Sequence, residues 1–156
     1  ERNSVRTAMQ WSSERHGGFS ASKEDTIVVP IISEGPFGYG AINVHKQLID
    51  PLSFLNWMER VISARKECIE FGYGDYDTIE TDNPGVLIHI CRYKAGEAIA
   101  VHNLTEEATA ITLDQFSEHM IEYFGDQKYE PVSADEKQVQ LGPYGYRWFR
   151  RSPLFL

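Results

Sequence analysis

The stretch VLIHICRYKAGEAIAVHN, residues 86–103, decides the fold class of this 156-residue chain. Two short runs, at 86–93 and 97–103, flank the turn Lys94-Ala95-Gly96. Runs of this length that are joined by a short turn with a glycine are typical of an antiparallel β-hairpin. The stretch therefore predicts a hairpin and, with it, a β domain.

More strands are predicted on both sides of this hairpin. Turn signals punctuate the sequence at Asp82-Asn83-Pro84-Gly85, Gly125-Asp126 and Gly142-Pro143. The runs between them give five further short strands, at residues 75–79, 109–113, 120–124, 137–141 and 146–150. Seven short strands at this spacing predict an antiparallel β-sandwich of the Greek-key type.

One long helix is predicted before the strands. Asp50 is a suitable N-cap, and Pro51 suits the first helical position, where its missing N–H costs nothing. Gly72 and Gly74 are expected to end the helix. Apolar residues recur at helical spacing and form one stripe: Phe54, Leu55, Met58, Val61 and Ile62.

Residues 1–50 read as irregular, because glycine and proline interrupt every longer run. A short strand at 26–32 is the one regular element expected there. A structureless stretch of this length argues against a free-standing domain and favours a functional loop of a larger fold.

Composition and net charge restrict the classes of function that the chain can have. A formal net charge of −8 argues against nucleic-acid binding, which needs clustered Lys and Arg. No apolar run approaches the length of a membrane helix and no signal peptide is visible, so we expect a cytoplasmic protein without a membrane partner. Cys68 and Cys91 are expected to be reduced thiols, and no cofactor is expected.

The first twenty residues contain the most specific motif. Residues 6–11 read RTAMQW and residues 17–20 read GGFS, so charged, amide and indole groups share a loop that two glycines let bend. Such a loop usually faces a ligand. The motif resembles the arginine-containing loop late in the barrel of α-amylase-superfamily enzymes, especially trehalose synthases and oligo-1,6-glucosidases. The usual form there is Arg-Thr-Pro-Met-Gln-Trp, from which Ala8 departs.

The resemblance continues in order along nearly the whole chain. Residues 38–48 resemble the trehalose-synthase loop before the last barrel helix, and residues 52–66 that eighth helix. Residues 83–87, 101–104 and 141–149 are similar to successive strands of the C-terminal β-domain. The resemblance thus implies that residues 1–70 are the end of a (β/α)8 barrel and residues 71–156 a C-terminal β-sandwich domain.

The resemblance also implies what the chain lacks. Retaining glycoside chemistry needs a carboxylate nucleophile and a carboxylic acid about 5–5.5 Å apart. In this superfamily both lie on earlier barrel strands, and none of Glu14, Glu24, Asp25, Glu34 and Asp50 is in a similar context. We therefore expect a non-catalytic portion of a retaining α-glucan-active enzyme, inactive alone, whose parent interconverts maltose and trehalose. The alternatives are a fragment of an oligo-1,6-glucosidase or α-amylase-type hydrolase and a carbohydrate-binding β-sandwich module.

Three residues are candidates for substrate binding by resemblance: Arg6, Gln10 and Trp11. The Arg6 guanidinium would pair with a carboxylate of an early barrel loop and bond glucose hydroxyls, a role that its planar fork of donors suits. Gln10 and Trp11 would extend the sugar site. The alternatives are a surface arginine for Arg6 and a loop anchor for Trp11. The partners implied are the rest of the barrel and maltose- or trehalose-type α-glucosides.

Other conspicuous residues have structural interpretations. His89 and His102 are expected near each other across the hairpin, but two imidazoles without a third ligand make a weak metal site, so we expect none. Tyr146 and Trp148 are assigned to the core rather than to a starch-stacking platform. In the chain alone, the helix stripe is expected to fold back on the sandwich or to form a homo-oligomer.

Overall fold

Seven antiparallel strands form the β part of the chain, as the sequence predicts. The computed structural model describes residues 6–23 and 27–151. Within this part the strands are β1 (Asp75–Ile79), β2 (Val86–Tyr93), β3 (Gly96–Asn103), β4 (Thr109–Thr112), β5 (Ile121–Gly125), β6 (Gln138–Leu141) and β7 (Tyr146–Arg151). Each lies within about one residue of its predicted limits, because the turn residues between them are local signals.

The strands form two antiparallel sheets. The larger sheet has the order β1-β2-β3-β7-β5, and the smaller pairs β4 with β6. The last strand therefore lies between β3 and β5, a non-sequential pairing typical of Greek-key sandwiches. The predicted antiparallel β-sandwich is confirmed.

The hydrophobic core lies on one face of the larger sheet. Strand β2 shows why: Val86, Ile88 and Ile90 alternate with more exposed residues, so that one face is apolar. The core cluster consists of Val86, Ile88, Ile90, Ile99, Val101, Ile111, Leu113, Phe116, Met120, Val139, Leu141 and Phe149.

A charged residue is also part of this interior. Arg147 is 1% exposed, and its Nη2 donates to Oε2 of Glu122 at 2.6 Å. Its guanidinium lies 4.6 Å from the ring centroid of Tyr129. The carboxylate and the ring together replace the water that the buried charge gives up.

The predicted assignment of two aromatic residues to the core is wrong. Tyr146 and Trp148 are half-buried and lie on the face of the sheet opposite the core. Neighbours in a strand point to opposite faces, so Arg147 and Phe149 inside require Tyr146 and Trp148 outside. The pairing of Arg147 with Glu122, which no local pattern shows, decides the choice.

Three α-helices and one 3-10 turn precede the strands in the described residues: the turn Arg15–Gly18, α1 (Val44–Ile49), α2 (Phe54–Glu67) and α3 (Glu70–Tyr73). Helix α1 was not predicted. In front of α2, the predicted cap is wrong by three residues. The Ser53 hydroxyl accepts the N–H of Asn56, whereas the Asp50 carboxylate accepts the N–H of Leu52 within a preceding turn.

The strand predicted at 26–32 is also wrong over its described residues. Residues 27–32 form no strand, and residue 26 lies outside the described part. Pro30 and Ile32 each accept one backbone bond, from Ala8 and Tyr39. These isolated bonds do not make a ladder. None of the helices described is long and apolar enough to cross a membrane.

The chain divides into two units, Glu1–Arg60 and Val61–Leu156. The boundary expected between residues 70 and 71 stays a prediction. In the described part of the first unit, Ala8 is the one hydrophobic side chain that is buried. The large apolar side chains of this unit that are exposed are Met9, Trp11, Phe19, Val28, Ile32, Phe37, Ile42, Leu48, Ile49, Leu52 and Phe54. The described residues of the first unit therefore form no hydrophobic core.

A buried ion pair fastens helix α3 to the larger sheet within the second unit. The Glu70 side chain is fully buried, and Arg150 donates to its two oxygens at 2.9 and 3.4 Å. The Cys68 thiol donates to the same carboxylate at 3.3 Å. Gly96 makes room for it, because a Cβ there would collide with Glu70 Oε1. The sheet and α3 therefore meet around one carboxylate.

Replacing Glu70 with alanine tests this junction. The change would leave the Arg150 guanidinium partly buried without its partner, and it should lower the free energy of unfolding by about 3 kcal/mol. Urea denaturation of the chain measures this. Glu118→Ala, at a carboxylate that is 76% exposed, is the control and should change stability little. Equal effects of the two substitutions would contradict the role of Glu70.

Candidate functional site

The loop of residues 6–11 is held by backbone hydrogen bonds within the first unit. The Ala8 N–H donates to Pro30 O at 3.0 Å, and the carbonyls of Gln10 and Trp11 accept the N–H groups of Val44 and His45 at 2.9 and 3.0 Å. These are the first two N–H groups of helix α1, which have no partner within a helix. The motif loop therefore caps α1.

The departure at Ala8 has a structural consequence. Ala8 is 6% exposed and uses its N–H to bond Pro30, a donor that the proline of the usual motif does not have. In this chain the loop is thus tied to the segment around Pro30 by a bond that the usual motif cannot form.

Asn43 completes the cap and was missed as a positioning residue. It is 2% exposed, its Oδ1 accepts the N–H of Lys46 at 2.9 Å, and its Nδ2 donates to Tyr39 O at 2.8 Å. The sequence does contain a signal for this cap. Asn43 directly precedes Val44, and Val44 and Leu48 are apolar residues at helical spacing.

Gln10, a predicted substrate residue, is engaged inside the loop. Its Nε2 donates to Phe37 O at 3.1 Å and to Ile42 O at 2.7 Å. Both amide hydrogens are therefore used, and a ligand could bond this side chain through its carbonyl oxygen alone. Its role in substrate binding stays a prediction.

Arg6 and Trp11, the other two predicted substrate residues, are exposed. The Trp11 side chain is 51% exposed, and Arg6 also belongs to the exposed class. Backbone hydrogen bonds of Ala8, Gln10 and Trp11 fix the conformation of the loop. The side chains of the loop therefore project from a backbone of defined conformation. The ligand role and the anchoring role of Trp11 both stay predictions.

The turn after the motif depends on left-handed backbone. His16, Gly17 and Gly18 have φ of 57°, 65° and 69°. Gly17 O accepts the N–H groups of Trp11 and Ser12 at 2.7 and 3.0 Å. A Cβ on Gly17 would lie 3.3 Å from Tyr39 Cβ. Glycine therefore meets two needs here, a positive φ and close contact.

The carboxylates for which no catalytic role is expected are exposed wherever the structure describes them. Glu14, Glu34 and Asp50 all lie at the surface of the first unit, whereas Glu24 and Asp25 lie outside the described residues. Over residues 6–23 and 27–151, no group of three or more His, Cys, Asp and Glu side chains is placed to hold a metal ion.

His89 and His102 lie side by side on the outer face of the larger sheet, as predicted. Their ring centroids are 5.8 Å apart and the planes differ by 10°. Burial lowers the pKa of His89, and burial together with the neighbouring His89 lowers the pKa of His102. Both imidazoles are therefore favoured in the neutral form.

The cysteines are free, as predicted. Cys68 and Cys91 are both buried. Burial, followed by the hydrogen bond to Glu70, raises the pKa of the Cys68 thiol to about 12. Burial also raises the pKa of Cys91. Since the thiolate is the reactive form, neither side chain is a nucleophile at neutral pH.

Comparison with known proteins gives the family. The profile of the family "Maltogenic Amylase, C-terminal domain" matches residues 76–148. The trehalose synthases of Thermus thermophilus and Pimelobacter sp. (strain R48) are each 30% identical to the chain, over 99% and 96% of its length. The oligo-1,6-glucosidase of Parageobacillus thermoglucosidasius is 27% identical over 96%. Residues 76–148 thus match the C-terminal β-domain of this family, and the chain is similar over nearly its whole length to part of α-amylase-superfamily enzymes.

Solved structures show the same fold. The trehalose-6-phosphate hydrolase of Bacillus licheniformis has a TM-score of 0.72 at 23% identity, over 96% of this chain and 26% of its own. A mutant isomaltulose synthase from Erwinia rhapontici NX5 has a TM-score of 0.67 at 22% identity, over 93% and 25%. Among the relatives in sequence, the chain spans 16% of the Thermus enzyme, 27% of the Pimelobacter enzyme and 25% of the Parageobacillus enzyme.

Gly17→Ala tests the conformation of the motif loop. A Cβ at positive φ costs about 1–2 kcal/mol. The amides of Trp11 and Ser12, which bond Gly17 O, should therefore exchange with solvent about tenfold faster. Hydrogen exchange measures this. Gly40→Ala is the matched control, since a Cβ there meets nothing within 4 Å, and it should leave those rates unchanged. Unchanged rates in Gly17→Ala would contradict the requirement.

The histidine pair predicts how stability depends on pH. Because both folded pKa values lie below the unfolded value of about 6.5, the unfolded chain binds more protons as the pH falls. The stabilisation that the two neutral histidines give the folded state is fully present above about pH 7. It is lost as the pH falls through 6.5 towards their pKa values in the folded chain. Urea denaturation between pH 7.5 and 5.5 should show stability falling.

Substitution identifies the groups responsible. The double variant His89→Gln/His102→Gln should lose much of this slope, whereas His119→Gln, at a half-exposed side chain, should retain it. A slope that persists in the double variant would show that other groups cause it.

Proposed function

We propose that the chain is the non-catalytic end of a retaining α-glucan-active enzyme, in which residues 1–70 complete a (β/α)8 barrel. The observation that carries this is the apolar surface of the first unit. Its described residues expose many large hydrophobic side chains and bury Ala8 as their one hydrophobic. Surface of this kind marks an interaction site rather than a finished domain. The partner that fits is the rest of the barrel.

The proposed parent reaction is interconversion of maltose and trehalose. The support is the 30% identity to two trehalose synthases over nearly the whole chain. The catalytic carboxylates would come from barrel strands outside this chain. A parent of the oligo-1,6-glucosidase type is the second candidate, supported by the 27% identity to such an enzyme.

Within that enzyme, Arg6 would bind a carboxylate of an early barrel loop and hydroxyls of the glucose. Its exposed guanidinium stands two residues from Ala8, which is fixed to Pro30. Gln10 and Trp11 would flank it, with Gln10 mainly supporting the loop. The β-domain would be structural.

The alternative of a carbohydrate-binding module is less well supported. Sugar rings stack on open aromatic faces, whereas His89, His102 and Tyr146 turn their faces towards each other, with centroids 5.8 and 6.0 Å apart. These rings do not form a coplanar platform.

A hybrid enzyme tests the proposal. This chain would replace the matched segment of the Thermus thermophilus trehalose synthase, and trehalose formation from maltose would be measured. We expect turnover by the hybrid and none by the chain alone. Turnover by the chain alone, or a hybrid that folds without activity, would contradict the proposal.

Arg6→Ala in the hybrid tests the binding role. Loss of a charge-assisted bond worth about 1.5–3 kcal/mol should lower kcat/KM by about ten- to hundredfold. Lys128→Ala, at an exposed side chain of the β-domain, is the control and should have no effect. Equal activities of the two variants would exclude Arg6 from the site.

A further inference from the structure

Strand β4 has one edge that no described strand covers. Among the described residues it pairs with β6 alone, in one continuous antiparallel register. In that register the Leu113 N–H donates to Lys137 O at 2.9 Å. In an antiparallel pair, residues that exchange hydrogen bonds alternate with residues whose N–H and C=O groups point away from the partner. Ala110 and Thr112 are of the second kind, so their backbone groups point to the open edge.

A groove of about 470 Å³ lies at this edge. One wall is β4 itself, through Ala110, Ile111 and Thr112, and the other is the connection from β1 to β2, residues 80–83. Ala110 and Thr112 are exposed, whereas Ile111 is 6% exposed and belongs to the core. The edge groups of Ala110 and Thr112 can therefore be reached from the groove.

The second wall of the groove is held in place by Asn83. Its Nδ2 donates to Thr109 Oγ1 on β4 at 3.0 Å. Its Oδ1 accepts the Gly85 N–H at 2.9 Å, and its backbone oxygen accepts the N–H of Val86 on β2 at 3.0 Å. The connection is thus tied to both strands. A partner would meet walls that are already positioned, which lowers the conformational cost of binding.

The groove carries a negative charge. Three exposed carboxylates line it: Glu80, Asp82 and Asp114. Lys137 places one cation at the Asp114 end, where its Nζ donates to Asp114 O at 2.9 Å. Two copies of this edge would bring their carboxylates together, and the chain as a whole has a formal charge of −8. Charge therefore disfavours a second copy of the chain in the groove and favours a cationic partner.

We propose that the open edge of β4 is an interaction surface for an extended, basic segment of a partner protein. The segment would add a strand to the sheet of β4 and β6 through the backbone groups of Ala110 and Thr112. Alternate side chains of a strand point the same way, so lysine or arginine at every second position would face Glu80 and Asp82 together. This surface lies wholly within the second unit and goes beyond the proposed function, since it does not depend on the parent reaction.

Synthetic peptides test the proposal on the chain as it stands. The probe is an eight-residue peptide of alternating lysine and valine, capped at both ends, and its counterpart has glutamate in place of lysine. In calorimetric titration the basic peptide should bind, more weakly as salt is added, and the acidic one should not. Binding should slow hydrogen exchange of the Ala110 and Thr112 amides by about tenfold or more. A basic peptide N-methylated at alternate residues keeps its charges but loses strand pairing, and it should bind at least about tenfold more weakly.

Variants of the chain identify the surface. Glu80→Gln/Asp82→Asn should weaken binding of the basic peptide by about three- to tenfold, through the loss of two exposed ion pairs. Asp75→Asn/Asp77→Asn is the matched control, because these exposed carboxylates of β1 have the same spacing but do not line the groove. It should leave binding unchanged. Ala110→Pro removes an N–H that points to the open edge, where proline is tolerated, and should abolish binding with little change in the unfolding midpoint.

Several results would overturn the proposal. These are no binding of the basic peptide, equal binding of the two peptides, or an equal loss of affinity in both carboxylate variants. A dimer of the chain that Ala110→Pro disperses would make a second copy the occupant. Calcium binding that Glu80→Gln/Asp82→Asn abolishes would make the groove a cation site. The carboxylate variants and the methylated peptide keep the test decisive even if Ala110→Pro does not fold.

Discussion

The structure depends on an asymmetry of hydrophobic burial between its two units. The second unit buries a contiguous cluster between two sheets, from Val86 to Phe149. In the first unit, the described residues bury Ala8 as their one hydrophobic side chain and are held mainly by hydrogen bonds. Hydrogen bonds contribute little net stability each, about 0.5–1.5 kcal/mol. The proposed function, in which an apolar partner covers this part of the chain, follows from this asymmetry.

The two units use polar contacts differently. In the second, Glu70 accepts from Arg150 and Cys68 in full burial, which fixes α3 on a sheet that is already stable. In the first, Asn43 and the carbonyls of Gln10 and Trp11 set the geometry of a loop that exposes Arg6. The contacts of Glu70 contribute stability to the second unit. The contacts of Asn43, Gln10 and Trp11 instead fix the conformation of the loop in the first unit.

Local signals predicted most of the fold and little of the site. The strands follow from short runs between turns that contain Gly, Pro and Asn, and these residues can be recognised in the sequence alone. The outward position of Trp148 follows from the pairing of Arg147 with Glu122, residues 25 positions apart. Helix α2 begins after Ser53 rather than Asp50 because Ser53 caps it, although the proline at 51 favoured an earlier start. Likewise, no local pattern shows that Gln10 bonds Phe37 and Ile42.

Native-state hydrogen exchange of the chain alone tests the central claim most directly. If residues 1–60 depend on a partner for their stability, the amides of Val44 and His45 should exchange through local openings. The free energy of these openings should be far below that of global unfolding. The amides of Ile99 and Val101, at the centre of the sheet, should exchange only by global unfolding. Equal protection in both regions would show that residues 1–60 are stable without a barrel, and it would contradict this account.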